Sequence, residues 1–192
     1  FGSILINDAA PGLGRDADDP LRDEKANIAI IRGFRDLGDQ DRIGFLATER
    51  QLGDGYNRVL SFDSRFKFTD NWFTQIQLVG TESEPTSGDE YTTGYQRNIM
   101  INREGRTYSN HTHFIETTSD FRTDLGFMIR FFRPGTSGIH QSSGLNFYPE
   151  ASALNRWGGS IFGVYLEDMD GWKIYSQIGP SLDLRFETTT PF

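Results

Sequence analysis

The segment Tyr56 to Gly80 reads in steps of two. Tyr56, Leu60, Phe62, Phe66 and Phe68 fall on one side of an extended chain, and Asn57, Ser61, Asp63, Arg65 and Lys67 on the other. This predicts a strand of about 13 residues with one apolar and one charged face. Thr69-Asp70-Asn71 is a polar turn, and Trp72 opens a second strand in which Trp72, Ile76 and Leu78 alternate with Phe73, Gln75, Gln77 and Val79. A long hairpin with aromatics at its turn end and a charged second face is unusual in a small soluble domain. It is the pattern of a membrane barrel, whose strands meet lipid on one face and a polar lumen on the other.

The same period recurs along the chain. Phe1 to Asn7 predicts a short strand. Ala26 to Leu37 predicts another, with Ile28, Ile30 and Phe34 on one side. Arg42 to Arg50 sets Ile43, Phe45 and Ala47 against Arg42, Gly44, Thr48 and Arg50. Glu90 to Asn102 gathers Tyr91, Tyr95, Ile99 and Ile101. Arg106 to Thr118 sets Tyr108, Asn110, Thr112, Phe114 and Glu116 against Ser109, His111, His113 and Ile115. Strands are also predicted over Leu125 to Phe132, Ser137 to Tyr148, Trp157 to Asp168 and Trp172 to Glu187. In the last, Ile174, Ile178, Leu182, Leu184 and Phe186 oppose Lys173, Gln177, Asp183 and Arg185. Residues 8–25 and 81–89 are rich in Gly, Pro, Ser and acids and read as long loops. The expected fold is all-β, an antiparallel up-and-down meander of roughly ten strands over residues 1–192, forming a transmembrane β-barrel or part of a larger one.

Most of these segments reach the roughly 9–11 residues a strand needs to cross a bilayer. Trp72, Trp157 and Trp172 fall at strand starts, where interfacial aromatics gather. Asp63, Arg65, Lys67, Asp183 and Arg185 are the expected lumen-facing polar residues, since a dry core would penalise them heavily. The competing architecture is a soluble sandwich or barrel with its apolar face inward, and alternation alone does not say which face is inside. Mean hydropathy is −0.52. That value suits alternating barrel strands as well as a soluble sheet, and no stretch predicts a transmembrane helix. Sixteen Phe, 21 Gly and an aromatic share of 14% favour β-structure. A net charge of −8 argues against a nucleic-acid backbone as partner. The absence of cysteine removes thiolate chemistry and Cys-based zinc sites. The chain lacks an initial Met and any signal-like segment, and is expected to be a mature piece or an excised fragment.

The segments Ala26 to Arg50 (ANIAIIRGFRDLGDQDRIGFLATER), NRVLSFDSRFKFTDNW from Asn57, and DFRTDLGFMIR from Asp120 together resemble the DUF5916 family. The resemblance covers most of Ala26 to Tyr148, and the last hairpin matches less clearly. It implies a bacterial outer-membrane barrel, in a family that often carries an N-terminal carbohydrate-binding family 9-like domain. That domain is not in this sequence, so a sugar-handling label would be inherited from it. The family supplies no catalytic residues to carry over. What it implies is transport, surface binding or anchoring linked to carbohydrate handling. The partners it implies are the lipid bilayer, an oligosaccharide or other small solute, and an adjoining domain of the same full-length chain.

Candidate chemistry is sparse. His111 and His113, at i and i+2, share a strand face and are weak candidates for a zinc or copper site if a third ligand came from a neighbouring strand. His140 is one hairpin away. The plainer reading is ordinary polar residues of a lumen or near a loop, since no Cys or HExxH-type pattern supports a metal, and no metal or other cofactor is expected. Asp16, Asp18 and Asp19 lack the glycine and terminal glutamate of a calcium loop. Glu116, Asp120, Asp124, Glu167 and Asp168 are conceivable hydrolytic acids that no motif selects, and no catalytic residue is assigned. Arg32, Arg35, Arg42, Arg58, Arg65, Arg97 and Arg130 recur near strand centres and are expected to pair with acids in a polar interior. Two functions of other classes stay open: a soluble β-sandwich or barrel binding carbohydrate through exposed Trp and Tyr, and part of a glycoside hydrolase.

Overall fold

The computed structural model describes residues 1–13, 15–85, 90–126, 133–150 and 153–186. One antiparallel sheet accounts for nearly all of them. Its strands are β1 (Gly2–Asp8), β2 (Ala26–Asp36), β3 (Arg42–Leu52), β4 (Gly55–Lys67), β5 (Trp72–Glu84), β6 (Thr92–Arg103), β7 (Tyr108–Thr117), β8 (Thr136–Phe147), β9 (Leu154–Asp168) and β10 (Lys173–Phe186). They lie in the sheet in chain order, each beside its predecessor. The one helix among the described residues is α1 (Ala10–Leu13), a single turn in the loop after β1. The meander is therefore as the alternation predicts. The sheet does not close into a barrel: β1 and β10 lie at its two edges.

Register fixes the two faces. Phe45 pairs with Phe62, Phe62 with Leu78, and Ile76 with Ile99, so these side chains share a face. Leu46, Ser61, Val79 and Gln96 form the equivalent row on the opposite face. The first face stays open. Leu60 is 64% exposed, Phe62 45% and Ile178 73%, and Ile31, Phe45, Phe66, Leu78, Ile101, Ile139, Leu145 and Ile161 are exposed beside them. Buried residues are few and belong mainly to the polar face, where Val59, Val79 and Phe121 form a small cluster.

Several details depart from the residue pattern. The strand expected to end at Gly80 continues to Glu84, because Thr81 to Ser83 pair with Asn57 to Val59 on β4 and with Thr92 to Gly94 on β6. Pairing on both sides outweighs the loop-like composition. Residues 86–89 of that expected loop lie outside the described residues, as do 127–132 of the expected strand Leu125 to Phe132, Arg130 among them, and Glu187. Trp72 opens β5, but Trp157 is three residues into β9 and Trp172 just precedes β10. Ile28, Ile30 and Phe34 sit on the same face as Arg32 and Asp63, while Ile31 sits on the apolar one. Ile28 and Ile30 pair there with Ile6 and Ile4 of β1.

Short connections cluster at one end of the sheet, at residues 37–41, 68–71 and 104–107. The long segments that follow β1 and β7 leave from the other. That second end also holds the tightest turn, between Leu52 and Gly55. There Gly53 adopts φ 59, a left-handed conformation that a side chain would disfavour.

Candidate functional site

The polar face carries the chemistry of this sheet. Near its centre Arg32 of β2 reaches across β3 to Asp63 of β4. Its Nη2 donates to Oδ2 at 2.8 Å, and Nη1 donates to Oδ1. The fork is two-pronged, the geometry in which a guanidinium best matches a carboxylate. Neither side chain is fully covered. Asp63→Asn is expected to lower stability by about 1–2 kcal/mol, between the values of exposed and buried pairs. A chemical-denaturation midpoint measures it. Arg65 lies over the Phe73 ring at 4.3 Å. Beside these groups opens a cleft of 780 Å³ whose lining includes Arg32, Asp63, Arg65, Gln75, Gln77 and Asn98. Such a wall offers hydrogen bonds of both polarities and charges of both signs, which suits a polar solute.

Residues 118–126, which follow β7, fold back over this face. Phe121, 4% exposed, inserts against Val59 and Val79. Asn57, itself 3% exposed, holds the loop from both sides of its amide. Nδ2 donates to the Arg122 carbonyl at 3.1 Å, and Oδ1 accepts from the Asp124 N–H at 3.0 Å. Arg50 pairs with Asp124 at 3.0 Å. Gly94 makes the approach possible: a Cβ there would stand 2.5 Å from the Phe121 backbone. Between loop and sheet lies a second cavity of 300 Å³, lined by Thr48, Ser61, Gln77, Gln96, Phe121 and Leu125 among others.

Farther along the same face, register brings three histidines together. His113 of β7 is directly opposite His140 of β8, and His111 is two residues along β7. Ring centroids of His111 and His140 are 5.1 Å apart, and those of His111 and His113 6.0 Å. One nitrogen from each lies within 4.8 Å of the others. His111 Nδ1 meets Asn102 Oδ1 at 2.6 Å, and His113 Nε2 meets Asn98 Oδ1 at 2.8 Å. The i, i+2 spacing marked the first two. Only strand pairing identifies the third.

The remaining candidates are distributed as follows. Asp63, Arg65 and Lys67 share the polar face with Asp183 and Arg185 of β10, and Asp183 is paired with Arg156 of β9. Arg32 and Arg42 lie on that face too. Arg35, Arg58 and Arg97 lie instead on the apolar face. The sequence pattern does not distinguish these because arginine recurs on both parities. Arg58 and Arg97 cover Tyr56 and Tyr95 at 4.2 and 4.7 Å and pair with Glu49 and Glu116 near the long-loop end. The candidate acids do not converge. Glu116 and Glu167 lie on the apolar face on either side of Ser137, Asp120 is exposed in the segment after β7, Asp168 ends β9, and Asp124 is engaged by Arg50. Asp19 accepts from the Leu21 N–H and from Arg15, which together hold its carboxyl below the ordinary value.

Comparison of the chain with family models, with curated proteins and with solved structures gives no match in any of the three.

Proposed function

We propose that this sheet is a section of the wall of a bacterial outer-membrane β-barrel, with its apolar face toward lipid and its polar face toward a solute-accessible lumen. The observation that carries the reading is the division of the two faces. Leucine, isoleucine and phenylalanine side chains lie uncovered on one, while Arg32–Asp63, the histidines and the folded-back loop occupy the other. The accessible surface is 12911 Å² for 21.8 kDa. A compact monomer of that mass exposes about 9,300 Å². An uncovered apolar face of this extent needs a partner, and acyl chains fit a band of exposed aliphatic and aromatic side chains edged by Tyr–Arg pairs.

Several polar groups on the apolar face support the same reading, because they are paired within the protein. Gln141 Nε2 donates to Asn110 Oδ1 and Ser143 Oγ at 2.9 and 2.8 Å, and Thr112 donates to Gln141. Thr74 Oγ1 donates to the Met100 carbonyl at 2.8 Å. Internal pairing of this kind is what a hydrocarbon environment requires. The two open edges favour a wall that is completed by further strands, since unpaired edges in lipid are prohibitive. The resemblance to DUF5916 barrels points the same way. In this reading the role is passage or capture of a small polar solute such as an oligosaccharide in the lumen, with the loop of Phe121 narrowing it.

The test is extraction and reconstitution of the full-length protein. It should require detergent, migrate faster on gels unheated than boiled, and raise the conductance of a planar bilayer. A monodisperse species in plain buffer that ignores liposomes would contradict the proposal and favour a soluble carbohydrate-binding sheet.

A further inference from the structure

We infer that His111, His113 and His140 form a binding site for a divalent cation of the zinc, nickel and copper group. Three imidazoles on adjacent strands of one face offer a nitrogen each within 4.8 Å. Imidazoles on tetrahedral zinc, at 2.0–2.1 Å from the metal, have their nitrogens about 3.4 Å apart. Metal binding would draw the three rings together by small rotations of their side chains on a fixed strand pair. Nitrogen donors without thiolate or carboxylate select this group of metals over magnesium or calcium.

The surrounding amides set the tautomers. An amide oxygen only accepts, so Asn102 Oδ1 fixes a proton on His111 Nδ1, and Asn98 Oδ1 fixes one on His113 Nε2. The lone pairs then reside on His111 Nε2 and His113 Nδ1. Metal-ligating histidines are held in this way by an acceptor on the ring nitrogen away from the metal. Both asparagines lie on β6, beside β7, in register with the histidines they hold: Asn102 is directly opposite His111, and Asn98 is one two-residue step from Met100, the partner of His113. The Phe162 ring packs edge-on against His140 at 5.0 Å and limits its swing. Three protein ligands leave a fourth position for water or a donor atom of a solute. The inference stands on the polar face alone and does not depend on what covers the apolar one.

The test uses the full-length folded protein, in detergent or plain buffer as its solubility requires, free of any polyhistidine tag, with Zn²⁺ alone as probe. The sequence contains three histidines in all, and ¹⁵N-histidine spectra report on them. One equivalent of zinc should bind, and all three rings should shift, with the metal-bound signature on Nε2 of His111 and Nδ1 of His113. Asn102→Leu should weaken binding about 10–100-fold, and His140→Ala by more than that. Zinc that perturbs fewer than three rings of the unsubstituted protein overturns the site. So does binding that survives replacement of all three histidines, or no binding at all.

Discussion

Phe62→Arg is expected to destabilise the sheet in a bilayer by about 2–4 kcal/mol. Phe62 lies within the apolar face, flanked by Phe45 on β3 and Leu78 on β5. An arginine at the bilayer midplane of a barrel costs about 2–4 kcal/mol, because its hydration shell must be stripped or dragged in. Gln77→Arg, one residue from Leu78 but on the polar face, should cost little, since that face already holds Arg32, Asp63 and Arg65. Urea unfolding in liposomes gives both values. If the apolar face met water instead, Phe62, at 45% exposed, would tolerate arginine within about 0.5 kcal/mol. The two accounts therefore differ by a measurable factor at one position.

Phe121→Ala is expected to release the β7–β8 loop. Phe121 is the one large side chain that the described part of this loop buries, and it packs on Val59 and Val79. Truncating a buried phenylalanine costs about 3–5 kcal/mol. That loss falls on docking of the loop, because the strands beneath retain their ladders. Limited proteolysis at residues 119–126 should accelerate, and in a reconstituted barrel the conductance should rise. Unchanged proteolysis would mean that the Asn57 amide and the Arg50–Asp124 pair hold the loop unaided.

These two residues illustrate what the sequence carries and what it does not. The hairpin of β4 and β5 was legible up to Gly80, because its alternation is clean and its register keeps Phe62 beside Leu78. Parity tells which residues of a strand share a side, but not which side of the sheet that is. Ile28, Ile30 and Phe34 share a parity with Arg32, and only pairing to β3 shows that this parity meets Asp63. The same limit explains Arg58 and Arg97, whose place beside tyrosines on the apolar face depends on neighbouring strands. Loop-like composition hid Thr81 to Glu84, which are strand because β4 pairs with all four and β6 with Thr81 to Ser83. His140 was invisible as a neighbour of His113, since the two lie far apart along the chain and no local pattern measures the β7–β8 register. The fold of residues 118–126 onto the polar face was equally beyond reach. Its signals, Gly94 and Asn57, are unremarkable residues until their positions in space are known.

The orientation of the two faces is open to direct measurement along β4. The chain has no cysteine, so single cysteines from position 57 to position 66 can be spin-labelled one at a time in reconstituted protein. Accessibility to oxygen, which concentrates in lipid, and to a water-soluble nickel complex should then alternate with a period of two. Positions 60, 62 and 66 are predicted to favour oxygen, and positions 57, 59, 61, 63 and 65 the nickel complex wherever the loop does not cover them. Equal access of the nickel complex to both sets would place the apolar face in water and contradict the barrel-wall account.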